Sequence, residues 1–262
     1  AGGVPTRAEA ALAWSVVENA LERDERDPAA IADALVRLET IRAYAPELSD
    51  RIALFGAQLE HALGPTRATC ARYAEAIESP HTSVAAQARV GRVRCLLDTG
   101  HRDGEDALAA LERRYPDLPM RTSLHLALAE ALEGWSRTRD AIDEYRTIDF
   151  EQPGSAEATV ARGRLLAIGG RGVRVRALSA AQEVERAERL VRSGPPDLAS
   201  DEIARLRSAT LARPLAAEVA LLASRLARVE GRFDDAHALM REARGLEPAV
   251  GEDPEAVDGI AE

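Results

Sequence analysis

Ala236, Met240 and Ala243 recur at steps of four and three, the spacing that lines one face of an α-helix. The same pattern extends along the chain: Ala, Leu, Arg and Glu, all strong helix formers, dominate, while the β-branched and aromatic residues that mark strands are few. Glycine, proline and capping residues punctuate it into about thirteen helical segments of roughly 12 to 18 residues. Thr6 with Glu9 opens the first as a capping box, Asp27 before Pro28 the second, and Ser49 with Asp50 the third; Ser155 starts a later helix, and Ser179 with Gln182 forms another box. Stops are expected at Pro46, Gly64, Pro80, Gly100, Pro116, Pro153, Gly169, Gly194, Pro214, Gly231 and Pro248. Short helices joined by short turns predict antiparallel neighbours.

The stops suggest a period. In residues 217–250 one helix ends near Val229 and a second follows Gly231, with small residues at Ser224, Ala236 and Ala243, a large one at Met240 and a closing Pro248. This unit resembles the tetratricopeptide repeat, whose small positions let two helices nest while the large residue fills the space beside them. Ala141, Tyr145, Ile148 and Pro153 read as an adjacent unit, and Gly163 stands 34 residues after Ala129. Fainter units lie at residues 88–121, with Ala107 and Pro119, and around residues 50–82.

The fold expected is all-α: a right-handed α-solenoid of about six irregular tetratricopeptide-like helix pairs. The run GGRGVRVRALS breaks the phase, so residues 169–179 are expected to form a hinge or connection between a first helical stack over residues 1–168 and a second over residues 180–250. Residues 251–262 form an acidic tail, either a loose end or the start of a further helix. In the tetratricopeptide register Glu130, Glu133, Arg164, Arg225 and Arg228 would face the concave surface as partner-binding residues; ordinary solvated charge is the competing account.

Composition narrows the chemistry. The 262 residues are 46% hydrophobic and 30% charged, with a net charge of −10, too apolar for disorder and without the clustered cations that nucleic acid requires. No window approaches the roughly 18 to 20 apolar residues of a membrane span, so no membrane insertion is expected. All 34 residues counted as lysine plus arginine are arginine, which removes every lysine-dependent phosphate loop, Schiff base or general base. The chain begins at Ala1, as expected after removal of a signal peptide or excision from a longer protein.

The five histidines, His61, His81, His101, His125 and His237, are scattered without the i, i+4 pairing of a helical metal site, so no metal or cofactor is expected and no catalytic residue is assigned. GGRGVR at residues 169–174 lacks the third glycine and the preceding strand of a dinucleotide loop. Trp14, Trp135, Tyr73, Tyr115, Tyr145 and Phe233 fit inter-helix packing better than stacking on a ligand. Arg186, Arg189 and Arg192 alternate with Glu183, Glu185 and Glu188, the pattern of a salt-bridged solvated face rather than an anion site. Cys70 and Cys95 read as small buried hydrophobes, with a single disulfide between neighbouring helices as the alternative if the compartment is oxidising.

The order of segments carries a further likeness. YAPELSDRIALFGAQLEHALG, then SPHTSVAAQARVGRVRCLLDTG, then AIDEYRTIDFEQPGSAEATVARGRLLAIGG resembles the N-terminal superhelical region of soluble lytic murein transglycosylases, over roughly residues 42–212. Tyr145 to Ala158 is similar to the tract that closes one helix pair and opens the next in that family, and Arg186 to Leu190 to the core of its following helix. The family's catalytic domain has no counterpart, since the lone Glu-Ser pair, Glu78-Ser79, runs into Pro80. The resemblance implies a non-catalytic periplasmic scaffold that positions peptidoglycan or a protein partner. A cytoplasmic adaptor that captures a peptide of a partner protein is the alternative.

Overall fold

The helix-forming composition yields thirteen α-helices and no strand among the described residues, which in this computed structural model are 6–22 and 27–247. The chain divides into two compact units, Ala1–Ala141 and Ile142–Glu262. The first holds α1 (Arg7–Glu22), α2 (Pro28–Tyr44), α3 (Ser49–Leu63), α4 (Arg67–Ile77), α5 (Thr82–Asp98), α6 (Asp103–Arg114) and α7 (Arg121–Gly134). Each packs on the next, and α1 on α3, α3 on α5 and α5 on α7 as well. Contacts with the next helix and the next but one are what a helical solenoid requires, because a single amphipathic pair cannot bury its own apolar face. The fold is all-α and solenoid-like.

Burial follows from this order. Ile52 and Leu59 on α3 join α1 and α2 in one cluster with Val17, Ile31 and Leu38, while Leu54 and Ala57 join α4 and α5 in a second with Tyr73, Val84 and Leu96. A helix covered on two sides must be apolar around most of its circumference, which explains the IALFGAQL run of α3.

Most local signals hold. Thr6 and Glu9 cap each other, Asp27 accepts from the Ala29 amide, Ser155 from the Ala158 amide, and Ser179 with Gln182 closes a box. Three differ. A single 3-10 turn, Pro46–Leu48, leads into α3 without a side-chain cap, and Asp50 instead accepts from the Arg51 amide and the Ser79 hydroxyl. Thr66 and Thr69 form a capping box at α4 in which a threonine takes the place of the usual Glu or Gln. Pro214 opens a helix rather than stopping one, because a first-turn proline lacks only an amide that would be unpaired anyway.

The second unit holds most of α8 (Thr138–Glu151), then α9 (Ala156–Gly170), α10 (Ala180–Ser193), α11 (Pro196–Ser208), α12 (Arg213–Val229) and α13 (Phe233–Leu246). The expected nesting of α12 and α13 is present. Ala236 and Ala243 are buried, and the buried Ser224 hydroxyl donates to the Ala236 carbonyl at 2.8 Å. Gly163 differs, since a Cβ there would meet open space, so no close approach explains it. The division between units falls inside α8, ahead of the 169–179 connection, which joins α9 to α10 within the second unit. Side chains of α8, α9 and α10 pack across that connection, so a break in periodicity there is not a break in packing. Pro248 and the acidic tail lie outside the described residues.

Candidate functional site

Cys70 on α4 and Cys95 on α5 are buried and joined as a disulfide, with their Cα atoms 5.5 Å apart. The reading of both as free hydrophobes is thereby corrected: α4 and α5 pack antiparallel, which sets the two Cβ atoms within reach of a bond. One turn beyond each cysteine stands a polar residue, Tyr73 after Cys70 and Asp98 after Cys95, and these two meet His61 from the last turn of α3.

Tyr73 is almost wholly buried and lies flat against α5 at Gly91, where a Cβ would come within 2.3 Å of its ring. Only glycine leaves room for it. His61 Nε2 lies 2.9 Å from Asp98 Oδ2, and its Nδ1 3.3 Å from the Tyr73 hydroxyl. Arg94 Nε donates to both Asp98 oxygens, at 2.8 and 2.9 Å. Burial pushes the Asp98 carboxyl up, but the hydrogen bonds from His61 and Arg94 outweigh it and hold the group below the usual carboxylate range. Burial first, and then the Asp98 and Glu60 carboxylates, push the Tyr73 hydroxyl well above the usual phenol range. An ionised Asp98 only accepts, so Nε2 carries a proton; in a neutral imidazole Nδ1 then accepts from the Tyr73 hydroxyl.

This network forms the floor of a groove of about 860 Å³ within the first unit. Its walls come from α3 and the turn after it (Gln58, Ala62, Pro65), from α5 (Leu97, Gly100) and from α7 (Ala127, Glu130, Ala131, Trp135). Gly100 ends α5 at φ +66°, a left-handed conformation that favours glycine, and its carbonyl accepts from Trp135 Nε1 at 2.6 Å. Both the phenol floor and the indole wall are therefore set before any ligand arrives. An Asp–His–Tyr chain has the order of a nucleophilic relay, but the Tyr73 side chain is almost wholly buried, which leaves its hydroxyl little access to a substrate. Among the described residues no group of three or more His, Cys, Asp and Glu side chains is placed to hold a metal ion.

Of the residues expected on a concave face, Glu130 is exposed and lines this groove. Glu133 is half-buried on the next turn of α7 and is not among the lining residues. In the second unit Arg164 is exposed on α9, Arg225 lies 3.8 Å from Glu188 of α10, and Arg228 is half-buried on the last turn of α12. His61, Tyr73, Arg94 and Asp98 carried no local signal of a joint site, because His61 and Asp98 are 37 residues apart.

The second unit corrects one expectation and supports another. Arg189 and Arg192 pair with Glu185 and Glu188 one turn away, as a solvated face should. Arg186 instead turns inward at 8% exposure, reaching Asp149 of α8 at 3.2 Å and Glu202 of α11 at 2.7 Å. Arg162 Nε stands 2.8 Å from the same Asp149 carboxylate without hydrogen-bond alignment, so it contributes charge alone. Burial pushes the Asp149 carboxyl up beyond what Arg186 and Arg162 pull back, the signature of a structural ion cluster at the junction of four helices. Among the aromatics, Tyr145 is fully buried and Trp14 packs on Phe55 with centroids 5.3 Å apart, but Phe233 is 63% exposed and does not pack as expected.

Among the described residues no helix is long and apolar enough to cross a membrane. Compared with known proteins, the chain matches no family model and no curated protein.

Proposed function

We propose that this protein is a non-catalytic, tetratricopeptide-like scaffold of the cell envelope, working in the periplasm and binding peptidoglycan or a protein partner through the groove of its first unit. The observation that carries the compartment is the Cys70–Cys95 disulfide, since such bonds persist in oxidising surroundings and are rare in the cytosol. It favours the envelope over a cytoplasmic adaptor. The groove supports a binding role: a preset aromatic wall, a satisfied polar floor and a volume of about 860 Å³, within the usual range for ligand sites. The likeness of residues 42–212 to the superhelical region of lytic transglycosylases supports peptidoglycan as the first candidate partner.

The test is co-sedimentation with purified sacculi, run beside a zymogram. Retention without lysis, reduced by Trp135→Ala, is the expected result. Lysis by the isolated chain would overturn the non-catalytic assignment, and absence of retention would overturn peptidoglycan as the partner.

A further inference from the structure

The charges in the groove are unequally matched. Besides His61, three charged side chains line it: Arg94, Asp98 and Glu130. Arg94 and Asp98 neutralise each other through two hydrogen bonds. Glu130 is exposed and has no ion-pair or hydrogen-bond partner among the described residues. The groove therefore keeps one uncompensated carboxylate, on the same helix end as an indole whose edge is pinned to the Gly100 carbonyl.

We propose that the groove receives an organic cation, an alkylammonium or guanidinium group borne on a short peptide segment, with the charge against Glu130 and the aliphatic stem along Trp135. This rests on the groove being the ligand seat. A cation gains Coulomb attraction from Glu130 while its stem packs on the indole that lines the groove, and the indole loses little freedom on binding because its hydrogen bond already orients it. An anionic group would meet Glu130 without compensation. The volume of about 860 Å³ leaves room for a segment of several atoms around the cation. The chain's net charge of −10 adds long-range attraction for such a ligand. The cation can come from a basic stretch of a partner protein or from an amine of a cell-wall peptide, and the chemistry read by the groove is the same.

The test titrates the whole protein with acetyl-Ala-Lys-Ala-amide, its Nε-acetylated form and acetyl-Ala-Glu-Ala-amide by calorimetry, with the sacculus assay in parallel. The lysine peptide should bind best, and charge removal on either side, by acetylation or by Glu130→Gln, should weaken it about fivefold, as suits a partly exposed ion pair. Trp135→Ala should weaken it further, and Glu151→Gln on α8 should leave it unchanged. Raised salt should weaken the lysine peptide selectively. Equal binding of the lysine and acetyl-lysine peptides, or no effect of Glu130→Gln in a protein with unchanged circular dichroism, overturns the proposal. The same result with intact sacculus retention overturns only the ligand class and spares the scaffold reading. Lysine-peptide binding without sacculus retention supports the cation site and assigns it to a protein segment.

Discussion

Replacing both cysteines with alanine, Cys70→Ala with Cys95→Ala, isolates the contribution of the covalent clamp between α4 and α5. The bond closes a loop of 25 residues, and the chain-entropy relation then assigns it about 3.5 kcal/mol of stabilisation at 25 °C, through the unfolded state. For a unit of this size that corresponds to a midpoint lowered by roughly 10 °C. Both tryptophans, Trp14 and Trp135, belong to the first unit, so intrinsic fluorescence reports that unit while far-ultraviolet circular dichroism reports both. The expected result is a fluorescence transition shifted by about 3 kcal/mol in urea, with wild-type protein unfolded and refolded under reductant behaving as the double variant does. A shift below about 1 kcal/mol would refute the reasoning, because helix packing alone would then hold α4 on α5 and the loop-closure account would fail.

Three further outcomes follow from the packing. Gly91→Ala drives a methyl into the Tyr73 ring and should destabilise the first unit by about 1–3 kcal/mol despite the better helix propensity of alanine, whereas Gly163→Ala, open on its side, should be neutral or stabilising; urea midpoints compare them. Arg186→Ala leaves Asp149 and Glu202 facing each other without their shared cation and should cost about 3 kcal/mol, visible in circular dichroism and absent from the tryptophan signal. Asp98 and Glu112, ordinarily near 3.8 and 4.5, are both held lower in the fold, Asp98 by His61 and Arg94 and Glu112 by His125 and Arg121, each against the upward push of burial. Their stabilisation is complete above the unfolded values and is lost as pH falls through the folded ones. Fluorescence-monitored stability should therefore drop as pH falls below about 4.5, and Asp98→Asn should flatten the drop.

Helices, their caps and their order were legible in the chain because each depends on residues no more than a turn apart. Asp27 reaches the Ala29 amide and Ser179 the Gln182 amide whatever the rest of the molecule does. The small residues Ser224, Ala236 and Ala243 were legible as a nested pair for the same reason, since one short turn brings α12 onto α13.

What lay beyond a turn needed tertiary structure. Two cysteines in a helical chain serve equally well as core residues or as a bond, and only the antiparallel packing of α4 on α5 decided between them. Arg186 repeats every three residues with two solvated arginines, yet its position on α10 faces Asp149, 37 residues earlier, so it turned inward. The groove is the extreme case. His61, Tyr73, Asp98 and Trp135 come from four helices, and a contact between residues that distant is fixed by how helices stack, a property no local spacing encodes.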